Sequence, residues 1–409
     1  MFNKMKLKYG IYIITIYISI LYFSFKAIQG SNFSNEMQTD NYIAITLLVD
    51  VIAIFIALKS LRGKKNKNMY FPILLPLFLI ALYFLEEGGR SWMFNSFLAF
   101  SIPCCYIGTS MGVERSLKEL SVYLEPIMLF VTLAIGITLP YMLFARTIDF
   151  EYQTFSYYCS FAYTINLFFI LFGKEFNRLK LFDNIIYTVL SVFLLVIQAS
   201  CCLIAGGRGG FIVIIFSTLV FLLLMKKKII GPISVFIVLF VLILNLLPSD
   251  MVDSMTMGSE RTFSFLQGGK LDMSSTSGRD VVYDKAVVLI ENRPLLGYGI
   301  FGYAGFNKST PHNIFLEVML QGGIFYSIIF WMFMLSIIIK LRKMIKLDNR
   351  NMLLVAMGIW PGIELLFSGS YMMFGLFWFL VSYIFVYNTK SKFKVNYENL
   401  SCNNDTFKN

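Results

Sequence analysis

Long, uniformly apolar runs recur along the chain, and they constrain its fold more than any other feature. A helix needs roughly 20 apolar residues to cross the hydrocarbon layer of a membrane. The runs lack the alternation of polar and apolar residues that marks the strands of an outer-membrane barrel. The sequence therefore predicts an all-α, polytopic membrane bundle of about twelve helices, at 9–25, 42–58, 70–85, 93–109, 121–144, 154–173, 184–205, 211–225, 229–247, 313–339, 351–367 and 371–388.

The composition excludes a water-soluble protein. Hydrophobic residues make up 57% of the 409 residues and charged residues only 14%, whereas about 25% of a soluble protein is charged. The net charge of +11 would suggest nucleic acid in a soluble protein. In a membrane protein it is explained by lysines and arginines that gather on cytoplasmic loops, so no nucleic-acid partner is expected.

The basic residues also predict the orientation of the helices. If the N-terminus is cytoplasmic and the twelve helices alternate, every short loop on the inner side is basic, for example 59–67, 226–228 and 340–350. This is the pattern of the positive-inside rule. Both termini are then cytoplasmic, and the first apolar run is an uncleaved helix, since no small-residue cleavage site follows Phe25.

One long polar loop divides the predicted helices. Nine helices occupy 1–247, an extracytoplasmic loop occupies 248–312, three helices occupy 313–388, and 389–409 is a cytoplasmic tail. A loop of this length in a compact bundle is usually functional. Its stretch Arg279–Glu291 mixes valines and leucine with charges and favours a short amphipathic helix, whereas the Gly-rich stretch Asn292–Phe306 favours turns.

A glycine-rich turn carries the first candidate site residue. Arg208 stands in Ala-Gly-Gly-Arg-Gly-Gly between two apolar runs. Glycines let the backbone approach a ligand closely, the following helix offers free N–H groups, and a guanidinium suits phosphate oxygens. The alternative is a short turn whose arginine reaches lipid headgroups, and the sequence leaves both open.

Two further candidates lie in or beside the long loop. Arg279 is a second potential phosphate ligand, or else a surface partner of Asp280 or Asp284. His312 is the chain's single histidine and suits proton transfer near neutral pH, although a capping or interfacial histidine is the commoner case. With a single histidine, no conventional zinc site is predicted.

Other polar residues are candidates to line a cavity shared with Arg208, Arg279 and His312. A further set is singled out because its members are ionisable and lie in apolar runs. Ionisable residues inside predicted spans are functional candidates by default, although a polar contact within the bundle is the simpler interpretation. The predicted cavity-lining residues are Arg90, Arg146, Asp280, Asn313 and Glu317. The carboxylates within predicted spans are Asp50, Glu125, Glu317 and Glu364.

The order of these features resembles the O-antigen ligase and polymerase superfamily of bacterial envelopes. The motifs are the Gly-rich turn at Arg208, Arg279 followed by Pro-Leu-Leu-Gly-Tyr-Gly at 294–299, and His312-Asn313 at the head of a span that contains Gly322-Gly323. The resemblance covers about 191–339. It implies a multi-span glycosyltransferase in which Arg208 and Arg279 bind the donor pyrophosphate and His312 acts in catalysis.

The predicted function is a polysaccharide polymerase that joins polyprenyl-pyrophosphate-linked repeat units at the outer face of the bacterial cytoplasmic membrane. Fixed cations stabilise a pyrophosphate leaving group without a metal, so neither metal nor cofactor is expected. The alternatives are a ligase that passes finished glycan to another acceptor and, in a different class, a lipid-linked oligosaccharide flippase. The expected partners are the lipid-linked donor and acceptor, the bilayer, and flippase and chain-length regulator proteins of capsule or surface-polysaccharide assembly.

Overall fold

The computed structural model describes residues 2–28, 40–85, 91–144, 152–176, 178–225, 279–306 and 310–389. Within these ranges the chain forms helices and turns and no β-strand, which confirms the predicted all-α class. The helices are α1 (Phe2–Ile16), α2 (Ile18–Ile28), α3 (Asp40–Leu61), α4 (Tyr70–Leu85), α5 (Ser91–Ser96), α6 (Ile102–Glu114), α7 (Leu117–Phe144), α8 (Tyr152–Phe172), α9 (Ile185–Ala205), α10 (Arg208–Met225), α11 (Arg279–Asn292), α12 (Ile314–Leu347), α13 (Met352–Phe367) and α14 (Gly375–Val386).

Seven helical stretches in the described residues are long and apolar enough to cross a membrane. They are Lys67–Phe84, Met93–Glu114, Leu117–Leu139, Gln153–Glu175, Ile185–Ala205, Ile314–Leu347 and Asn349–Phe367. The pair α1–α2 raises the number to eight if it counts as one span, and α10 and α14 are apolar but shorter. The predicted span 229–247 lies outside the described residues, so the total of twelve stays a prediction.

The first predicted span, 9–25, is not one straight helix. The chain bends by 80° between α1 and α2, and Tyr17 occupies the bend. The bend directs aromatic side chains of this segment onto α8: the ring centroids of Tyr17 and Phe161 lie 5.2 Å apart, and those of Phe23 and Tyr158 lie 4.6 Å apart. Hydropathy could not reveal the bend, because the apolar residues continue across it from Gly10 to Phe25.

The predicted long span at 313–339 is interrupted where its two glycines stand. Gly322 (φ −139°) and Gly323 (φ +60°) leave the helical conformation inside α12. The break leaves backbone groups of α12 without hydrogen bonds inside the helix, and the loop 294–299 supplies hydrogen-bond partners for them. The N–H groups of Tyr298 and Gly299 donate to the carbonyls of Leu320 and Gln321 at 2.8 Å each. The loop motif and the glycine pair therefore form one structural unit.

Close backbone contacts join the other helices. A Cβ at Gly108 of α6 would overlap the carbonyl oxygen of Phe379 in α14, and a Cβ at Gly112 would overlap that of Tyr383, so glycine lets these two helices touch.

The guanidinium of Arg178 donates twice to the carboxylate of Glu125, at 2.9 and 2.7 Å. This ion pair explains Glu125, one of the carboxylates noted in the spans, as a structural group.

The polar loop folds as its sequence predicts where the structure describes it. The expected amphipathic helix at 279–291 is α11, Arg279–Asn292. The Gly-rich stretch that follows contains turns and a short 3₁₀ helix, Gly302–Gly305. Residues 248–278 of the predicted loop lie outside the described residues.

Candidate active site

The Gly-rich turn sets Arg208 at the first residue of α10. Gly206 ends α9 in the left-handed conformation, at φ +69°, which glycine adopts without a Cβ clash. The hydroxyl of Ser156 in α8 donates to the carbonyl oxygen of Gly207 at 2.8 Å. The turn is thus fixed to α8, and the first turn of α10, which carries the guanidinium, is fixed with it.

The two glycines after Arg208 allow this close packing. A Cβ at Gly209 would overlap the hydroxyl of Tyr157, and a Cβ at Gly210 would overlap the side chain and backbone of Ser156. Glycine on the C-terminal side of the arginine is therefore required by contact between α8 and α10. The expected role of these glycines in ligand approach stays a prediction, and the structure adds a packing role.

Arg279 begins α11 and is partly exposed. Its guanidinium is close enough to Tyr157 and to His312 to act on both electrostatically. No ion pair joins Arg279 to Asp284, one of the two surface partners considered for it from the sequence, although both side chains are described. The side chain of Asp280, the other, lies outside the described residues.

His312 precedes α12 in an unusual backbone conformation. Its φ is +51°, a left-handed value that costs a residue with a Cβ of the order of 1–3 kcal/mol. Its Nδ1 lies 3.4 Å from the hydroxyl oxygen of Thr310. Burial lowers the pKa of the imidazole below 6.5, and the charge of Arg279 lowers that pKa further. At neutral pH the ring is therefore uncharged and can accept a proton.

The helix cap at this position is Asn313. Its side-chain oxygen accepts hydrogen bonds from the N–H groups of Phe315 and Leu316, at 2.9 and 3.2 Å. These bonds satisfy donors that the first turn of a helix leaves open. The capping role considered for His312 thus belongs to its neighbour, which leaves the imidazole available for another task.

Glu317 lies one turn further along α12 and is 1% exposed. Tyr303 donates its hydroxyl to the carboxylate at 3.0 Å, Ser370 donates its own, and the N–H of Tyr371 donates at 3.2 Å. Burial raises the pKa of Tyr303 well above its ordinary value, as does the adjacent carboxylate, so the phenol remains a donor. Glu317 thus ties α12 to the segments 302–305 and 368–374.

A cavity of about 430 Å³ lies between the bend of α1 and α2, the start of α8, and α13. Glu364 of α13 and Tyr157 of α8 both line it, and the two side chains interact electrostatically. The Oε2 atom of Glu364 is buried without a hydrogen-bond partner among the described residues. Because a Cβ at Gly209 would overlap the hydroxyl of Tyr157, the cavity lies next to the turn that carries Arg208.

The structure thus brings several of the predicted residues to one end of the bundle. The charge of Arg279 acts on His312 and on Tyr157, and the hydroxyl of Tyr157 packs against Gly209, next to Arg208. Asn313 and Glu317 support this end through hydrogen bonds. Of the three other predicted cavity residues, Arg90 and Arg146 lie outside the described residues, as does the side chain of Asp280.

Sequence reasoning missed Tyr157 and gave Glu364 too little weight. Tyr157 belongs to an aromatic run in a predicted span, where nothing separates it from residues that merely pack. A carboxylate near the outer end of a span was a usable signal for Glu364, but its sequence neighbours are apolar and reveal no partner.

Comparison with known proteins supports the resemblance drawn from the motifs. A family model described as O-antigen ligase matches residues 193–331. The matched segment contains Arg208, Arg279 and His312. No curated protein and no solved structure matches the chain.

Proposed function

We propose that the protein is a polymerase of lipid-linked glycan repeat units, because residues 193–331 match a family model described as O-antigen ligase. It transfers glycan from a polyprenyl-pyrophosphate donor to a hydroxyl of a second repeat unit at the outer face of the cytoplasmic membrane. The observation that carries the proposal is that a partly buried His312 and Arg279 interact electrostatically inside the matched segment.

The reaction needs positive charge that stabilises the leaving group and a base that accepts the proton of the acceptor hydroxyl. The candidate site residues can supply both. The bond between the anomeric carbon and a pyrophosphate oxygen breaks, and a bond from that carbon to the acceptor oxygen forms. Negative charge develops on the leaving pyrophosphate, where Arg208 and Arg279 supply fixed positive charge. The acceptor hydroxyl gives up its proton to the His312 imidazole.

The lowered pKa of His312 supports its role as the base. A histidine that is already protonated cannot accept a proton, and a neighbouring guanidinium keeps the free ring neutral. When the leaving group binds, its negative charge offsets that of the arginine. The imidazolium that forms during transfer is then stabilised by the pyrophosphate beside it.

Extension of a lipid-linked glycan by the purified protein tests this function. The protein is placed in lipid nanodiscs with lipid-pyrophosphate repeat units isolated from the cells that naturally produce it. The length of the product is measured by gel electrophoresis and mass spectrometry. A ladder of longer glycans on the lipid supports the polymerase. Transfer only to a different added acceptor assigns the ligase reaction. Unchanged substrate overturns the enzymatic proposal in favour of a flippase or a non-catalytic assembly scaffold.

An arginine variant with a matched control ties the activity to the site. Arg279→Ala removes a fixed charge from the leaving group and should lower the rate by about 10²- to 10³-fold. Arg293 lies in the same loop, with its guanidinium 4.8 Å from the ring centroid of Tyr298, and Arg293→Ala should retain most activity. Equal activities of the two variants would remove Arg279 from the mechanism.

A further inference from the structure

The cavity of about 430 Å³ is built by parts of the chain that are distant in sequence. The bend between α1 and α2 contributes 15–20, and the start of α8 contributes Thr154, Tyr157 and Tyr158. The segment 96–104, α13 and the segment 373–376 complete the wall. Its volume is in the range of small-molecule sites, about 300–1,000 Å³. It is therefore large enough to hold part of a ligand.

Every lining residue of this cavity lies outside the family-matched segment 193–331. Arg208, Arg279 and His312 lie inside that segment. The pyrophosphate chemistry proposed above is common to all lipid-linked donors, whereas the sugar differs between polysaccharides. A cavity that adjoins the common groups but comes from other parts of the chain is placed to select the variable part of the substrate.

The lining combines aromatic faces with hydroxyl groups. Tyr158, Trp360 and Phe374 present rings, and Thr15 and Ser19 add hydroxyls at the bend. A sugar ring has apolar C–H faces and a polar edge of hydroxyls, so it suits aromatic walls with a few polar groups. A lipid chain would make no use of the hydroxyls or of a carboxylate.

Glu364 supplies the acceptor that a sugar hydroxyl requires. Its Oε2 is buried and has no hydrogen-bond partner among the described residues, and the same holds for the Thr15 hydroxyl. A carboxyl oxygen accepts hydrogen bonds, and a buried polar group without a partner is costly unless a ligand or water satisfies it. Both atoms are therefore matched to an occupant that carries hydroxyl groups.

We propose that this cavity is the acceptor-saccharide subsite, in which Glu364 accepts a hydrogen bond from a sugar hydroxyl and directs the attacking hydroxyl of that sugar toward Arg279 and His312. This assignment rests on the proposed function and names the part of the substrate that the cavity holds. Tyr157, which interacts with both Glu364 and Arg279, joins the subsite to the reacting groups. Glu364 is a positioning residue, and the base remains His312.

Trp360 lines the cavity and provides a binding signal that does not depend on catalysis. The probe is the free oligosaccharide released by mild acid from the cells' own lipid-linked repeat units, titrated into the full-length protein in nanodiscs. We expect a saturable change of tryptophan fluorescence that Trp360→Phe abolishes. A polyprenol titrated in the same way should give no such change.

Two conservative substitutions, Glu364→Gln and Thr15→Val, test the assignment. Glu364→Gln should weaken binding of the free oligosaccharide by about threefold to tenfold, as for loss of a hydrogen bond to a buried carboxyl oxygen. It should raise KM for the acceptor by a similar factor and leave kcat little changed. Glu125→Gln, which alters a buried carboxylate paired with Arg178, should leave the affinity unchanged.

Thr15→Val keeps the shape of the side chain and removes an unpartnered hydroxyl, so the variant should fold at least as well as the parent. We expect it to weaken oligosaccharide binding by several-fold. Unchanged affinity in both Glu364→Gln and Thr15→Val overturns the subsite, as does a fluorescence change produced by polyprenol alone.

The binding measurements separate this proposal from the proposed function. Oligosaccharide binding that depends on Glu364, in a protein that extends no glycan, would retain a saccharide site and reject the polymerase. Extension of glycan with an acceptor KM that Glu364→Gln does not alter would retain the polymerase and reject the subsite.

Discussion

The guanidinium of Arg279 and the imidazole of His312 act on each other electrostatically, although the first begins α11 and the second precedes α12. The positive charge adds to burial in lowering the pKa of the ring. Two residues that the motifs suggested separately are therefore one electrostatic unit. The protonation state of His312 therefore depends on the charge of Arg279 as well as on burial.

The single histidine of the chain should titrate below 6.5 and shift when its neighbour is neutralised. In Arg279→Gln the repulsion is lost, so the pKa of His312 should rise toward 6.5, while burial still holds it down. NMR of histidine-labelled protein without a histidine tag gives one titrating signal. Activity should fall as the pH drops through the pKa of His312, and this acid limb should move to higher pH in the variant.

The same shift has a consequence for stability. Because the folded state holds the proton less tightly than the unfolded chain, the contribution of His312 is present above pH 6.5 and is lost as the pH falls below it. His312→Gln should remove that part of the acid sensitivity. A titration midpoint at or above 6.5 in the parent protein would contradict the assigned environment of the ring.

The break in α12 gives a prediction about folding. Gly323 has φ +60°, and a Cβ there would overlap the backbone of Leu295. Gly323→Ala should therefore destabilise the protein by about 2 kcal/mol or more, through both backbone strain and overpacking. Gly362→Ala is the control, since its Cβ would contact nothing and alanine favours a helix by roughly 1 kcal/mol. Thermal unfolding in detergent distinguishes the two.

The sequence motifs predicted a loop at 294–299 and singled out the glycine pair 322–323, but they did not predict that the two contact each other. The Pro-Leu-Leu-Gly-Tyr-Gly segment and the Gly322-Gly323 pair were both visible in the sequence, and the amphipathic helix at 279–291 was predicted within one residue of its observed end. That the loop fills the break in α12 depends on backbone hydrogen bonds across more than twenty residues. Residue type says little about such bonds, because every non-proline residue offers the same backbone groups.

The contact between α8 and α10 predicts the effect of a single methyl group near Arg208. A Cβ at Gly210 would overlap the side chain and carbonyl of Ser156, so Gly210→Ala should separate the helices and cost about 1–3 kcal/mol. It should also lower glycan extension, because the first turn of α10 carries the guanidinium. Gly136→Ala, where the Cβ would meet nothing within 4 Å, should leave both quantities near the parent values.

The cavity shows where sequence reasoning stops. Glu364 was recognised as a carboxylate in a span, and Tyr157 was not recognised at all. Their relationship exists because α8 and α13 meet in the folded bundle and because α1 and α2 bend beside them. An apolar run predicts that a helix forms, but the bend and the choice of neighbours follow from packing among many similar side chains.

Glu317 gives the last prediction, which separates a structural carboxylate from a catalytic one. Its oxygens accept from Tyr303, Ser370 and the backbone of Tyr371, so Glu317→Gln places an amide N–H₂ against donors. We expect a loss of about 2 kcal/mol of stability and faster proteolysis within 368–374. Glycan extension per folded molecule should change little. Glu119→Gln serves as the control, since that carboxylate lies 3.9 Å from the amine of an exposed Lys118 and such pairs contribute about 0–1 kcal/mol. A Glu317→Gln protein with normal stability and no activity would instead make this carboxylate part of the reaction.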